Sequence, residues 1–369
     1  MKRAARLLAA CFAFFAACDR SANDGANPQS AIRNSQLLVP DHGVYAGAYV
    51  EFGDREDSVT LEKIAAFDRL VDKPQAIVAS SSYWGEQTFP AENVRLISRY
   101  GAVPLIFWSP WDRPYKEGLG PDKYALTNII AGDHDAYIDM WADAAREFGQ
   151  PMIVSFANEM NGSWFPWSGG FYGKGNIIPG FTPALYDGPV GPETFKKAYR
   201  HVVDRVRARG AKNVQWVLHL MNYSLPQDEW NLADRYYPGP EYCDWLGFSL
   251  YGMQFHDDEE WAPFFPLFDW PYTELALLDP NKPIMVCEWG CGEFPAKGSK
   301  AQWIRDGFKW MKDTAKYPRL KACVFWHERW QNEDGRYSNL RVNSTPGALE
   351  AYREGVADPF YLGRPIFAE

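Results

Sequence analysis

At 369 residues and 46% apolar content, the chain can bury a large core, either as one large α/β barrel or as two ordinary domains. Its net charge of -9 and the lack of a sustained basic patch exclude nucleic acid as an expected partner and suit a neutral or cationic ligand better. Aromatic residues reach 16%, with 16 Trp, many near the ends of predicted strands, where core filling and ligand stacking both have a use for them.

Taken in order, the chain opens on a basic stretch, Lys2, Arg3 and Arg6, followed by an apolar run from Leu7 to Ala17 and small residues before Cys18. This has the anatomy of a secretory signal and is too short to span a membrane as a mature helix. Phe15-Ala16-Ala17-Cys18 resembles the lipobox of a bacterial lipoprotein, with Phe15 in place of the usual Leu. The resemblance implies a signal peptide over residues 1–17, lipidation of Cys18, and an exported protein anchored to a membrane facing the periplasm or the cell surface. Residues 18–38 are poor in apolar side chains and read as a flexible tether.

From residue 39 to 369 no second linker interrupts the pattern, so one domain is expected. Short apolar runs read as eight strands, at 44–50, 76–80, 103–108, 152–157, 214–220, 245–251, 284–288 and 321–326. Between them, apolar residues at three- and four-residue spacing predict helices over 61–71, 91–100, 135–148, 193–209 and 301–316. Ser299 is placed to cap the last of these, and Gly210 to stop the one before it. Near-continuous apolar strands alternating with helices argue for a parallel sheet covered on both sides, and eight such units fit a (β/α)8 TIM barrel. A doubly wound open sheet would be favoured by a phosphate-binding glycine loop. The Gly-rich run 169–180 carries no such pattern and reads as a surface loop.

Four cysteines remain in the mature domain, Cys243, Cys287, Cys291 and Cys323, with no CxxC or Cys/His cluster, so neither metal nor cofactor is expected. By strand parity, Cys287 and Cys323 should point at the helical layer.

In a parallel barrel, functional residues lie at the carboxyl ends of the strands. The segment 155–168, SFANEMNGSWFPWS, follows the fourth strand and sets a carboxylate, Glu159, beside the amide of Asn158 and just ahead of Trp164 and Trp167. That is the equipment for handling a sugar: a proton donor, an amide for a hydroxyl, and indole faces for a pyranose. A second glutamate, Glu288, ends the seventh strand. Trp84, Trp108, Trp111, His219, Tyr251, Trp326, His327 and Glu328 stand at other strand ends. Each alone has an ordinary structural use, as a solvated loop residue or in packing, and Trp84 and Trp108 suit the core as well as a sugar.

The segments ANEMNGSWFPW, CDWLGFSLYG, PIMVCEWG and CVFWHE, at the fourth, sixth, seventh and eighth strands, together resemble glycoside hydrolase family 26, of clan A. The resemblance implies Glu159 as acid/base and Glu288 as nucleophile of a retaining endo-β-glycanase, with Tyr251 supporting Glu288 and Trp326 as a floor for the sugar. It also implies substrate contacts from Asn158, Trp164, Trp167 and Trp108. Retention asks for the two carboxyls to be about 5 to 5.5 Å apart, which the fourth and seventh strands of a barrel can provide. Family mannanases carry His before the acid and another His after the third strand, where this chain has Asn158 and Ser109-Pro110-Trp111. The WFPW run is closer to members acting on β-glucan, so β-mannan and β-1,4 or mixed-linkage glucan both stay open. The expected partners are a polysaccharide and, through Cys18, a membrane, with the domain a monomer. The competing reading is a surface lipoprotein that binds polysaccharide without cutting it, which would not need the glutamate pair.

Overall fold

The computed structural model describes residues 36–112, 120–172 and 191–368. Lipidation of Cys18 and most of the loop 169–190 therefore lie outside the described residues.

Eight parallel strands form the ring: β1 (Val44–Val50), β2 (Ile77–Tyr83), β3 (Val103–Ser109), β4 (Met152–Phe156), β5 (Val214–Met221), β6 (Trp245–Tyr251), β7 (Ile284–Gly290) and β8 (Leu320–His327). Each pairs with its sequence neighbours, and β1 closes on β8 from Tyr45↔Ala322 to Val50↔His327. The expected barrel is thus present as one closed domain. Its strands are buried nearly end to end, which is why they read in the sequence as apolar runs without polar alternation.

The outer layer contains α1 (Leu61–Val71), α2 (Ala91–Tyr100), α3 (Leu126–Ala131), α4 (Asp135–Phe148), α5 (Gly191–Ala208), α6 (Phe264–Leu278), α7 (Lys300–Met311) and α8 (Pro346–Val356). The starts of α1, α7 and α8 are fixed by Thr60, Ser299 and Thr345, each accepting from a backbone N–H three residues on at 3.2 Å. The connection from β5 to β6 has no α-helix, only two 3-10 turns, Glu229–Asn231 and Ala233–Tyr236. Beyond β8, a hairpin of β9 (Arg329–Gln331) and β10 (Tyr337–Asn339) rises above the barrel, and β11 (Tyr361–Leu362) lies parallel to β1.

One irregularity bears directly on function. On β7 the register against β6 steps from Phe248↔Val286 to Ser249↔Glu288, leaving Cys287 as an extra residue, and the β8 side slips across the same stretch. A bulge of this kind re-aims the side chains that follow it. It corrects the parity argument for Cys287, whose Sγ occupies the space a Cβ at Gly247 would need, beside Val217, 2.4 Å from that Cβ position. Cys287 therefore lies inside the barrel beneath Glu288, close enough for the charges of Glu288 and Glu159 to push its thiol pKa further up, after burial. The four cysteines are all buried free thiols.

Two of the expected sugar platforms are also corrected. Trp108 is fully buried and faces the helices, where its ring stacks on Trp141 at 4.1 Å and its Nε1–H donates to Tyr137 Oη at 3.0 Å. The reason is strand alternation: Phe107 and Ser109, one residue either side, take the inward positions. Trp167 is buried beneath the β4 loop, stacked on Phe165 at 4.6 Å, with Nε1–H donating to the Asn158 carbonyl at 2.6 Å. It braces the loop from below. Trp84, buried against Trp108, Tyr137 and Phe156, is likewise a core residue.

Candidate active site

At the carboxyl end of the ring a cavity opens between the tops of β1, β2, β3, β4, β7 and β8. Its walls include Glu159, Glu288, Asn158 and Trp326 of the expected residues, and also Glu56, Ser81, Tyr83, Phe107, Ser109, Trp111 and Phe165.

The strand-four segment is folded under constraint. Ala157 and Glu159 both adopt positive φ, 50° and 55°, a region disfavoured for residues with a Cβ and one that clusters at functional sites. Backbone bonds hold them there: Ala157 N–H donates to the Trp108 carbonyl at 3.3 Å and Glu159 N–H to the His219 carbonyl at 2.7 Å. Asn161 ties the loop to the end of β5, accepting from Met221 N–H at 2.8 Å and donating to its carbonyl at 3.0 Å. Trp164 then folds back over Gly162, where any Cβ would fall 2.6 Å from the indole, and its Nε1–H donates to Glu159 Oε2 at 2.8 Å. The MNGSW spacing thus returns a ring N–H to the carboxylate five residues earlier.

Glu288 is placed by the β7 bulge. Tyr251, at the end of β6, donates from its hydroxyl to Glu288 Oε2 at 2.5 Å. Burial and the adjacent carboxylates push the Tyr251 hydroxyl pKa far up, so it stays protonated and remains a donor. Below the pair lies His219, whose Nδ1 meets Ser155 Oγ at 3.0 Å and whose Nε2 meets Ser249 Oγ at 2.7 Å. Burial lowers its pKa to about 3, so the ring is neutral.

One oxygen of Glu159, one of Glu288 and a ring nitrogen of His219 all lie within 4.8 Å of one another. Three such atoms could in principle hold a metal ion, but both His219 nitrogens are already engaged by serine hydroxyls. The arrangement fits two facing carboxyls better. Burial, and then the charge of Glu159, push the Glu288 pKa well above the usual carboxylate range, with the Tyr251 bond acting against the shift. The two negative charges oppose each other at this distance, which favours a proton on the pair. Such a pair can protonate a leaving oxygen with one member and attack with the other.

Trp326 stacks on Tyr49 at 4.0 Å and is held by Nε1–H donation to Glu328 Oε2 at 2.8 Å, with its remaining surface in the cavity wall. Of the residues that the sequence leaves unassigned to the cavity, Phe165 and Ser109 lie in segments already singled out, whereas Glu56, Ser81 and Tyr83 come from positions with no distinctive motif. The period-two alternation inside β2 and β3, counted back from the strand tops, points to Ser81, Tyr83, Phe107 and Ser109. Glu56 lies in a loop and has no such signal.

Comparison with known proteins gives consistent relatives. The family model described as glycosyl hydrolase family 26 matches residues 123–269. Endoglucanase H of Acetivibrio thermocellus is 30% identical over 317 residues, which is 85% of this chain and 30% of that protein. The β-1,3-xylanase TXYA of a Vibrio species is 24% identical over 266 residues, 64% of this chain and 50% of that protein. The chain thus spans between about a third and a half of the length of these curated relatives. Among solved structures, the catalytic domain of the Bacillus sp. JAMB-750 GH26 endo-β-1,4-mannanase superposes with a TM-score of 0.60 at 18% identity, covering 87% of both chains. A Cellulomonas fimi endo-β-1,4-mannanase double mutant gives 0.58 at 19% identity, covering 87% of this chain and 72% of that one.

Proposed function

We infer that the chain is a glycoside hydrolase of family 26, and from that premise we propose that it is a retaining endo-β-glycanase. The observation that carries the reading is the Glu159–Glu288 pair, with an oxygen of each within 4.8 Å at the carboxyl end of a (β/α)8 barrel, nearer to the roughly 5–5.5 Å of retaining pairs than to the roughly 6.5–9.5 Å of inverting ones.

The reaction follows from the local bonds. Glu159 acts as the acid through the oxygen away from Trp164, since Oε2 accepts the indole N–H, and delivers a proton to the glycosidic oxygen as the bond to the anomeric carbon breaks. Glu288, whose charge the Tyr251 hydroxyl favours, attacks that carbon and forms a glycosyl ester. Water then enters, loses a proton to the ionised Glu159 and displaces Glu288, returning both carboxyls to their starting states. A polysaccharide-binding protein without activity would have no use for two facing buried carboxyls.

The proposed substrates are β-mannan and β-1,4 or mixed-linkage β-glucan. Asn158 beside the acid and the resemblance to an endoglucanase favour glucan, while the mannanase structures keep mannan in view. Incubating the enzyme with β-glucan, mixed-linkage glucan, mannan and β-1,3- and β-1,4-xylan, and measuring new reducing ends, tests this. Activity on one of the first three, lost in Glu159→Ala and Glu288→Ala, is expected. Retention of a polymer with no cleavage of any would favour the binding protein.

We further propose that Cys18 carries a lipid anchor after removal of residues 1–17. A Cys18→Ser form expressed in a bacterial host should leave the membrane fraction; if it stays there after processing, the anchor is wrong.

A further inference from the structure

Trp326 gives the cavity an aromatic wall for a sugar, and the aim of that ring is set by its neighbours. The indole stacks on Tyr49 at 4.0 Å with the planes 16° apart, and Phe107, also of the cavity wall, stands 5.9 Å away at 46°. Stacking sets the plane of a ring but gives little direction within it, whereas an N–H bond does. That bond goes to Glu328: Trp326 Nε1–H donates to Oε2 at 2.8 Å, while Oε1 lies 3.4 Å from the Tyr49 hydroxyl. One carboxyl thus spans both rings of the stack.

Glu328 is itself fixed by its place in the chain. It stands between β8 and the β9–β10 hairpin, where its carbonyl accepts from Leu340 N–H at 2.8 Å and the next residue, Arg329, pairs with Asn339. The far leg of that hairpin is held by Lys300, a buried ammonium at the start of α7 that donates to the Asn339 and Arg341 carbonyls at 3.0 and 2.8 Å. Burial and the charges of Glu56 and Glu51 oppose ionisation of Glu328, and the bonds from Trp326 and Tyr49 act the other way. A carboxyl kept among other acids and bonded to a ring of the cavity wall is explained by what it does to that ring. We propose that Glu328 is a positioning residue: by accepting the indole N–H it fixes how the Trp326 ring is turned in its own plane, and with it the seat of the sugar whose bond is cleaved. The role rests on the glycosidase reading of the site. It asks of residue 328 an oxygen lone pair at the right reach, which a neutral amide supplies as well as a carboxylate.

The test compares Glu328→Ala and Glu328→Gln with the parent on whichever β-glycan the parent cleaves. Glu328→Ala frees the indole and should lower kcat/KM about 10-fold or more, as expected for losing one hydrogen bond to a carboxyl. Glu328→Gln keeps an oxygen at the same reach and should stay within about 3-fold of the parent. Because the effect passes through the indole N–H, Trp326→Phe should absorb it: Glu328→Ala added to Trp326→Phe should cost less than about 2-fold more. Should the alanine variant not fold, Glu328→Leu, which fills the space without an acceptor, takes its place in both comparisons. Full activity in the acceptor-free variant overturns the role of Glu328, as does a glutamine variant as impaired as the alanine one, or an undiminished loss in the Trp326→Phe background. A parent that cleaves no β-glycan overturns the glycosidase reading, and this proposal with it.

Discussion

At the scale of residues, the account rests on two carboxyls and the hydrogen bonds that differentiate them. Tyr251→Phe deletes the donor to Glu288 and leaves the ring packing, so kcat/KM should fall about 10- to 100-fold, the kinetic equivalent of one charged hydrogen bond of roughly 1.5–3 kcal/mol, with little change in melting temperature. If that variant proved as active as the parent, the bond would have no part in the reaction. Glu159 and Glu288 are legible in the sequence because each follows an apolar strand and sits in a distinctive local segment. Trp108 misleads because a tryptophan at a strand top looks the same in sequence whether its register aims it at the mouth or at the helices, and Trp167 because a loop tryptophan looks the same whether it meets a ligand or packs beneath the loop. Cys287 misleads for a different reason: parity assumes an unbroken pleat, and a bulge has no sequence mark of its own. Glu56 is silent, since no motif marks a loop glutamate that bonds across to Ser81 of β2.

At the scale of elements, the strands are readable to within a few residues, because burial on both faces makes them continuous apolar runs. Helices with one apolar stripe, α1, α2 and α4, are equally clear. Three helices are not. The six residues of α3 are too few to show a period. In α6, FFPLFDWPYTELALL, apolar side chains surround the axis and Pro271 interrupts the pattern, so no single stripe stands out. The third, α8, lies after the last strand, where alternation no longer calls for a helix, although Thr345 and Pro346 carry the start signal. The β4 loop is the element that connects fold to chemistry. Gly162→Ala forces a methyl into the space of the Trp164 indole, and so should move the ring off Glu159 and lower kcat; an enzyme unaffected by it would mean that the indole bond is dispensable. For contrast, Trp108→Ala should cost about 3–5 kcal/mol of stability through the cavity it leaves against Trp141, with KM unchanged in the folded fraction. A raised KM at intact stability would return Trp108 to the substrate site.

At the scale of the whole molecule, the barrel concentrates acids at one end, and this has a signature in stability. Burial and the nearby Glu56 raise Glu328 from 4.5 to about 8. The folded state then binds a proton more tightly than the unfolded state, so this group's effect is a stability that falls as pH rises from about 4.5 to about 8. The melting temperature should decline across that window, and Glu328→Gln should flatten the decline; a variant curve parallel to the parent's would contradict the burial-driven shift. The same concentration of acids raises the Glu288 pKa through the charge of Glu159, after burial. The most direct test is proton NMR of the first minutes of hydrolysis, on whichever β-glycan the enzyme cleaves. A β-anomer appearing first and then mutarotating is the expected result, because two displacements at one carbon restore its configuration. An α-anomer appearing first would mean a single displacement by water and would remove Glu288 from the role of nucleophile.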